Sequence, residues 1–218
     1  VYLITCDVGT ESYSIYGHTA LRVNIRGYHF DRVYNWGVFD FETPNFVLRF
    51  ARGRLDYMLD VMDYNRFVEY YEIEERSVWS QKINMTTEEK ERLFDLLNEN
   101  VRPENIKYRY NFFFDNCATR VRNMIEQSAT DSIVYPVKKK RETFRDLINH
   151  FQSAVPWLDF GADFLLGFHG GVRPASVTRA NGFACLRFAA DFRQIRASID
   201  FFFRPFAWTM LIVTLGSI

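Results

Sequence analysis

The sequence predicts an α+β fold in which an antiparallel sheet packs against helices, and three observations point to it. Two β-rich runs lie near the N-terminus, the first of which alternates apolar and polar residues. A capped amphipathic helix starts at Thr86, and an aromatic extended segment runs directly into a second helix signal at Cys117. With 218 residues, 48% of them apolar and 17% aromatic, the chain has ample material for a packed core and lacks the composition of a disordered one.

Taken in order, Val1-Tyr-Leu-Ile-Thr-Cys6 predicts a short buried strand closed by Asp7-Val-Gly-Thr10. His18–Ile25 alternates, with Thr19, Leu21, Val23 and Ile25 on one side, and Tyr28–Trp36 forms a second β-rich run. Arg26-Gly27 between them predicts a hairpin turn, and a turn centred there sets His18 opposite Asn35. Phe46–Tyr64 reads as helical or mixed, and Phe67–Ile83 as holding at least one strand through Tyr70-Tyr-Glu-Ile-Glu74. Thr86 and Glu89 have the spacing of a capping box, followed by an apolar face of Leu93, Phe94, Leu96, Leu97 and Val101 and by a helix stop at Pro103. Tyr108, Tyr110, Phe112 and Phe114 predict an extended segment. Asp115–Glu126 then predicts a helix capped by Asp115 or Asn116, with Cys117 in its first turn and Val121, Met124 and Ile125 buried. Lys138–Arg141 predicts an exposed basic loop, and Thr143–Phe151 a last helix.

The 27 basic and 27 acidic side chains cancel, which argues against nucleic acid as a partner because phosphate binding needs a basic surplus. The zero hides an asymmetry: residues 1–167 hold 25 acids and 21 bases, whereas 168–218 hold two acids, Asp191 and Asp200, and six arginines. The organisation expected is therefore a domain over 1–167 and an atypical arginine-rich tail over 168–218, truncated or frame-shifted and poorly packed. Its end, Phe201–Ile218, is apolar but interrupted by Arg204 and Pro205, and its clean part is shorter than the roughly 20 residues of a membrane helix. Val1 opens directly on a strand-like run, as in a fragment or a processed form.

Cys6, Cys117 and Cys185 are too few for a disulfide scaffold and have no C-x-x-C spacing. A metal site built from Cys6, His18, His29 and Cys117 has no ligand spacing behind it, so neither a metal nor a cofactor is expected. The chemically interesting residue is Cys117, because a helix N-terminus favours the thiolate. Asp115 opposes this if its carboxylate points at the sulfur. Taken alone, Cys117 is also what a buried core cysteine looks like. His18, at the start of a strand after Tyr16-Gly17, supplies the missing base: imidazole takes the thiol proton and the thiolate attacks a carbonyl. Asn35 on the neighbouring strand is either the third member, orienting the ring, or a polar residue on a strand edge.

Four ordered motifs carry a family resemblance: Tyr16-Gly-His-Thr-Ala-Leu-Arg-Val23, Val33-Tyr-Asn-Trp-Gly-Val-Phe-Asp-Phe41, Phe50-Ala-Arg-Gly-Arg-Leu-Asp-Tyr-Met58 and Tyr110-Asn-Phe-Phe-Phe-Asp-Asn-Cys-Ala-Thr-Arg120. From about Val1 to Gly167 the chain resembles the N-terminal periplasmic domain of the Lnb-type lipoprotein N-acyltransferases of Bacteroidota. That family is similar to circularly permuted papain-like proteins, among them lecithin:retinol acyltransferases and NlpC-type peptidases, in which the His strand precedes the Cys helix as His18 precedes Cys117. The resemblance implies a two-step transfer. Cys117, activated by His18 with Asn35 in the third position, takes an acyl chain from a phospholipid and passes it to the N-terminal cysteine of a lipoprotein. It also implies a periplasmic protein associated with the inner membrane, working at a membrane surface through a multi-helix region expected downstream of the domain. Tyr108, Tyr110, Phe112, Phe113 and Phe114, with Trp36 and Phe39, are either an acyl groove or simply core. Two other functions share these residues: a cysteine peptidase or amidase acting on cell-wall peptide, and a non-catalytic lipid- or partner-binding module. A Cys6–Cys117 disulfide would abolish the activity.

Overall fold

A computed structural model describes residues 1–10, 14–39, 43–45, 49, 55–111 and 114–133. Among them a six-stranded sheet is the organising element. Its strands are β1 (Tyr2–Cys6), β2 (His18–Ile25), β3 (Phe30–Val38), β4 (Asp56–Asp63), β5 (Val78–Lys82) and β6 (Lys107–Arg109), in the spatial order β5-β1-β2-β3-β4-β6. Each neighbouring pair is antiparallel. Three helices cover it: α1 (Tyr64–Ile73) between β4 and β5, α2 (Thr87–Val101) between β5 and β6, and α3 (Cys117–Ser128) after β6. The class is α+β, as the alternation and the capped helix predict.

Side chains alternate across a strand, so the sheet feeds two cores. Leu3, Leu21, Val23, Tyr34, Trp36, Tyr57 and Leu59 pack with Leu93 and Leu97 of α2 and with Val121, Met124 and Ile125 of α3. Ile4, Cys6, Ala20 and Val33 pack on the other face with Phe67 and Tyr71 of α1. The helix at Thr86 forms through the mechanism its sequence announces: Thr86 accepts the Glu89 N–H, and the Glu89 carboxylate accepts the Thr86 N–H at 2.9 Å.

Three expectations are corrected. Residues 56–63, within the stretch read as helical or mixed, form β4: Tyr57, Leu59 and Val61 enter the larger core, while Met62 packs on the opposite face. Tyr70–Glu74, read as strand, ends a helix instead. Asp63 caps α1 by accepting the Asn65 N–H at 2.9 Å, and only Phe67 and Tyr71, four residues apart, need burial. The β2–β3 turn is a four-residue loop, Arg26–His29, closed by the pair Ile25↔Phe30, rather than a two-residue turn at Arg26-Gly27. That moves the register by two, so that its continuation sets His18 opposite Gly37 instead of Asn35. A shift of two keeps every side chain on its face, so His18 and Asn35 become diagonal neighbours that still meet.

The extended aromatic segment is shorter than its alternation suggests. Only Lys107–Arg109 pairs with β4, and the chain then folds into a turn bridged between Asn111 and Asp115. The basic loop at 138–141, the helix at 143–151, Cys185, the boundary at Gly167 and the tail 168–218 lie outside the described residues. No helix among the described residues is long and apolar enough to cross a membrane.

Candidate functional site

The turn after β6 delivers the chain to α3. Asn116, not Asp115, is the cap: its Oδ1 accepts the N–H groups of Ala118 and Thr119, each at 3.0 Å, and Thr119 Oγ1 accepts the Asn116 N–H at 2.7 Å. Cys117 is therefore the first residue of a helix whose start is capped and whose register is fixed by the buried Val121, Met124 and Ile125. Asp115 does not aim its charge at the sulfur. Its carboxylate is held in a fork by Arg120, Nε at 2.5 Å and a terminal nitrogen at 2.6 Å, and the guanidinium lies 4.1 Å over the Tyr108 ring. The charge of Asp115, two residues before Cys117, is thus paired, and the positive end of the α3 dipole is left to act on the thiol.

His18 stands at the start of β2, paired across the strands with Cys6. Its Nε2 donates to Asn35 Oδ1 at 2.5 Å, and its ring also hydrogen-bonds Cys117. With Nε2 on Asn35 Oδ1, Nδ1 is the ring nitrogen left to serve the sulfur, and the amide sets the tautomer. Burial alone would push the imidazole down. The Cys117 charge, the hydrogen bond to Cys117 and the Asn35 amide outweigh that and the opposing charge of Arg76, so His18 is held above the ordinary histidine value. The structure brings all three predicted site residues together.

Gly37, which the sequence reading passed over, lies against both Cys117 and His18. It lies in the register shift between Trp36 and Val38 and has φ +100°, a conformation that favours glycine. A Cβ there would be in ordinary van der Waals contact with Cys117 Cβ at 3.7 Å and His18 Cε1 at 3.9 Å, so what requires glycine is the backbone conformation beside the two groups. A glycine inside the strand run Trp-Gly-Val was the available signal, since interior glycines mark bulges and close approaches. Gly37→Val is expected to slow Cys117 alkylation at least tenfold and to cost about 1–3 kcal/mol in stability through the strained backbone. Alkylation kinetics and urea denaturation read the two effects, and an unchanged alkylation rate would show that the site does not depend on this backbone conformation.

Cys6 is buried and hydrogen-bonded to Tyr71, and burial pushes its thiol up to about 12, so it stays protonated. Neither Cys6 nor Cys117 is in a disulfide. Among the described residues no group of three or more His, Cys, Asp or Glu side chains is placed to hold a metal ion. Of the aromatic residues suggested as a groove, Trp36 and Tyr108 are core. Tyr110 stacks on Tyr57 with ring centroids 4.1 Å apart, Phe39 meets Tyr57 edge-on at 5.1 Å, and Phe114 is 62% exposed three residues before Cys117. Phe112 and Phe113 lie outside the described residues.

Comparisons with curated proteins and with solved structures each returned no match. The family profile described as the Lnb N-terminal periplasmic domain matches residues 1–150, a span that includes His18, Asn35, Gly37 and Cys117. The chain belongs to the Lnb N-terminal periplasmic domain family.

Proposed function

We propose that this domain is a cysteine-dependent acyltransferase of permuted papain-like design, in which Cys117 is the nucleophile, His18 its base and Asn35 the residue that orients the base. The observation that carries the reading is the single imidazole joined to both Asn35 Oδ1 and Cys117. The Sγ–H proton passes to His18 Nδ1, and the thiolate attacks the carbonyl carbon of a phospholipid ester. Negative charge on the carbonyl oxygen develops beside the positive end of α3. The C–O bond breaks, the imidazolium protonates the departing lysophospholipid oxygen, and a thioester remains on Cys117. The α-amine of a diacylated N-terminal cysteine then attacks the thioester and gives its proton to His18. The C–S bond breaks, an amide forms, and the imidazolium returns a proton to the sulfur.

A lipid donor is supported by the family and by the exposed Phe114 ring three residues before the nucleophile, an apolar foothold for an acyl chain. The setting that follows is the periplasmic face of the inner membrane. The test mixes the full chain with phospholipid vesicles and a diacylated N-terminal-cysteine peptide. The expected products are lysophospholipid and N-acylated peptide in equal amounts, lost with Cys117→Ser. Cleavage of a cell-wall peptide without lysophospholipid would replace this reading with a peptidase, and turnover of neither substrate would leave a binding module.

A further inference from the structure

Arg76 is an arginine whose side chain is only 7% exposed, placed where β1, α1 and the segment leading to His18 meet. Its backbone position is set by how α1 ends. The Glu75 N–H bonds the Glu72 carbonyl at 3.0 Å, the Arg76 N–H bonds the Tyr71 carbonyl at 2.9 Å, and Glu75 takes the left-handed conformation with φ 55°. This is a Schellman turn with a glutamate where glycine is usual, a strained ending that the surrounding structure holds in place. From there the guanidinium makes three connections. Nε and a second nitrogen donate to the Asp7 carbonyl at 3.0 and 2.7 Å, the third nitrogen pairs with Glu74 at 2.7 Å, and the plane covers the Tyr71 ring at 4.7 Å. The Glu74 carboxyl, despite burial that pushes it up, is kept below the usual carboxylate range by Tyr70 and Arg76, so the pair is ionic.

The segment that Arg76 grips leads to the site. Asp7 follows Cys6, the cross-strand partner of His18. Gly9 bonds the Ser14 carbonyl at 3.0 Å, and Gly17, immediately before His18, bonds the same carbonyl at 3.0 Å. Gly9 is pressed between these parts: a Cβ there would stand 2.3 Å from Ser14 Oγ and 3.3 Å from Arg76 Cδ. Burying a guanidinium costs several kcal/mol unless its donors are met. Here they are met by one main-chain carbonyl and one carboxylate, which join the end of β1 to the end of α1.

We infer that Arg76 is a positioning residue for the Cys117/His18 site: it clamps the approach to His18 and presents a fixed positive charge to the imidazole and thiol. The inference rests on the proposed roles of Cys117 and His18, though not on the lipid substrate. Among the described residues, the charged and titratable groups that act on His18 or on its neighbours Cys6 and Cys117 are Tyr71 from α1, Asp7 after β1, the Glu74–Arg76 pair after α1, and Tyr108 of β6 with the Asp115–Arg120 pair at the start of α3. Within this set Arg76 supplies a cation whose field lowers the proton affinity of His18 and of Cys6.

The test is the rate of Cys117 alkylation by iodoacetamide in the full chain, read on the tryptic peptide Tyr110–Arg120 and followed from about pH 5 to 9. Arg76→Met is expected to move the profile up by about half a pH unit, the effect of one partly screened charge, and to lower the plateau rate several-fold. Arg76→Lys restores the position of the profile but not the plateau, because the ammonium keeps the charge and loses the fork. Glu74→Gln, at a partly exposed position that tolerates change, moves the profile down because it removes the anion that offsets Arg76. A folded Arg76→Met with wild-type profile and plateau would overturn the inference. If Arg76→Met does not fold, Glu74→Gln decides: a downward shift supports the inference, and an unmoved profile overturns it. The readout needs no lipid, so failure of acyl transfer and failure of this role are separately visible.

Discussion

His18→Ala is expected to reduce alkylation of Cys117 at about pH 6.5 by 100-fold or more, the usual range for loss of a positioned general base. The wild-type imidazole hydrogen-bonds both Asn35 Oδ1 and Cys117 and is held above the ordinary histidine value, against burial, by Cys117 and the Asn35 amide, which makes it a stronger base for the thiol proton. Without the ring, the helix dipole alone acts on the thiol, and the profile should revert toward a single ionisation near the free-cysteine value of about 8.5. Asn35→Ala should cost much less, about tenfold, because it loosens the ring plane without removing the base. The pair also contributes to stability with a definite sign. A histidine whose folded value is raised stabilises the fold fully below its unfolded value and loses that contribution as pH rises through the folded one. The stability gap between wild type and His18→Ala should therefore be wider at about pH 5.5 than at about pH 9. Urea denaturation at the two pH values checks this, and a gap that widens with pH would contradict the proton assignment.

Trp36→Ala is expected to destabilise the domain by about 3–5 kcal/mol, the range for truncating a large buried aromatic side chain. Trp36 is fully buried, and its indole Nε1 donates to Asn100 Oδ1 of α2 at 2.8 Å, tying the centre of the sheet to the helix above it. Trp36→Phe keeps much of the volume but leaves Asn100 without that donor, and should cost about 1–3 kcal/mol. Denaturation midpoints read both. If Trp36 belonged to an open acyl groove, truncation would leave stability nearly unchanged and alter lipid handling instead.

The parts of the fold that were legible in the sequence are those whose signals are local. The Thr86–Glu89 capping box and the alternation of β2 each determine structure within a few residues. β4 and α1 were misread because their sequences mix two periods. Met58 and Met62 in β4 fill the polar half of the alternation, while Tyr70 and Tyr71 in α1 have strand propensity although only Tyr71 needs to be buried. Tertiary burial overrode propensity in both. At the site, His18, Asn35 and Cys117 were legible as residue types in the right chain order, but their meeting depends on a register that was wrong by two and survived only because two is the period of a strand. Arg76 gave no sequence signal, because a buried clamp and a solvated surface charge in Glu-Glu-Arg-Ser look alike until the carbonyl that the clamp holds is placed.

The central claim is that Cys117 accepts an acyl group from a phospholipid. Intact-mass measurement of the full chain after exposure to phospholipid vesicles, without any acceptor peptide, tests it most directly. The predicted result is an acyl-sized mass increment that hydroxylamine removes, that maps to the peptide Tyr110–Arg120, and that is absent from Cys117→Ala and His18→Ala. An unmodified wild-type mass, or an equal increment on Cys117→Ala, would contradict it.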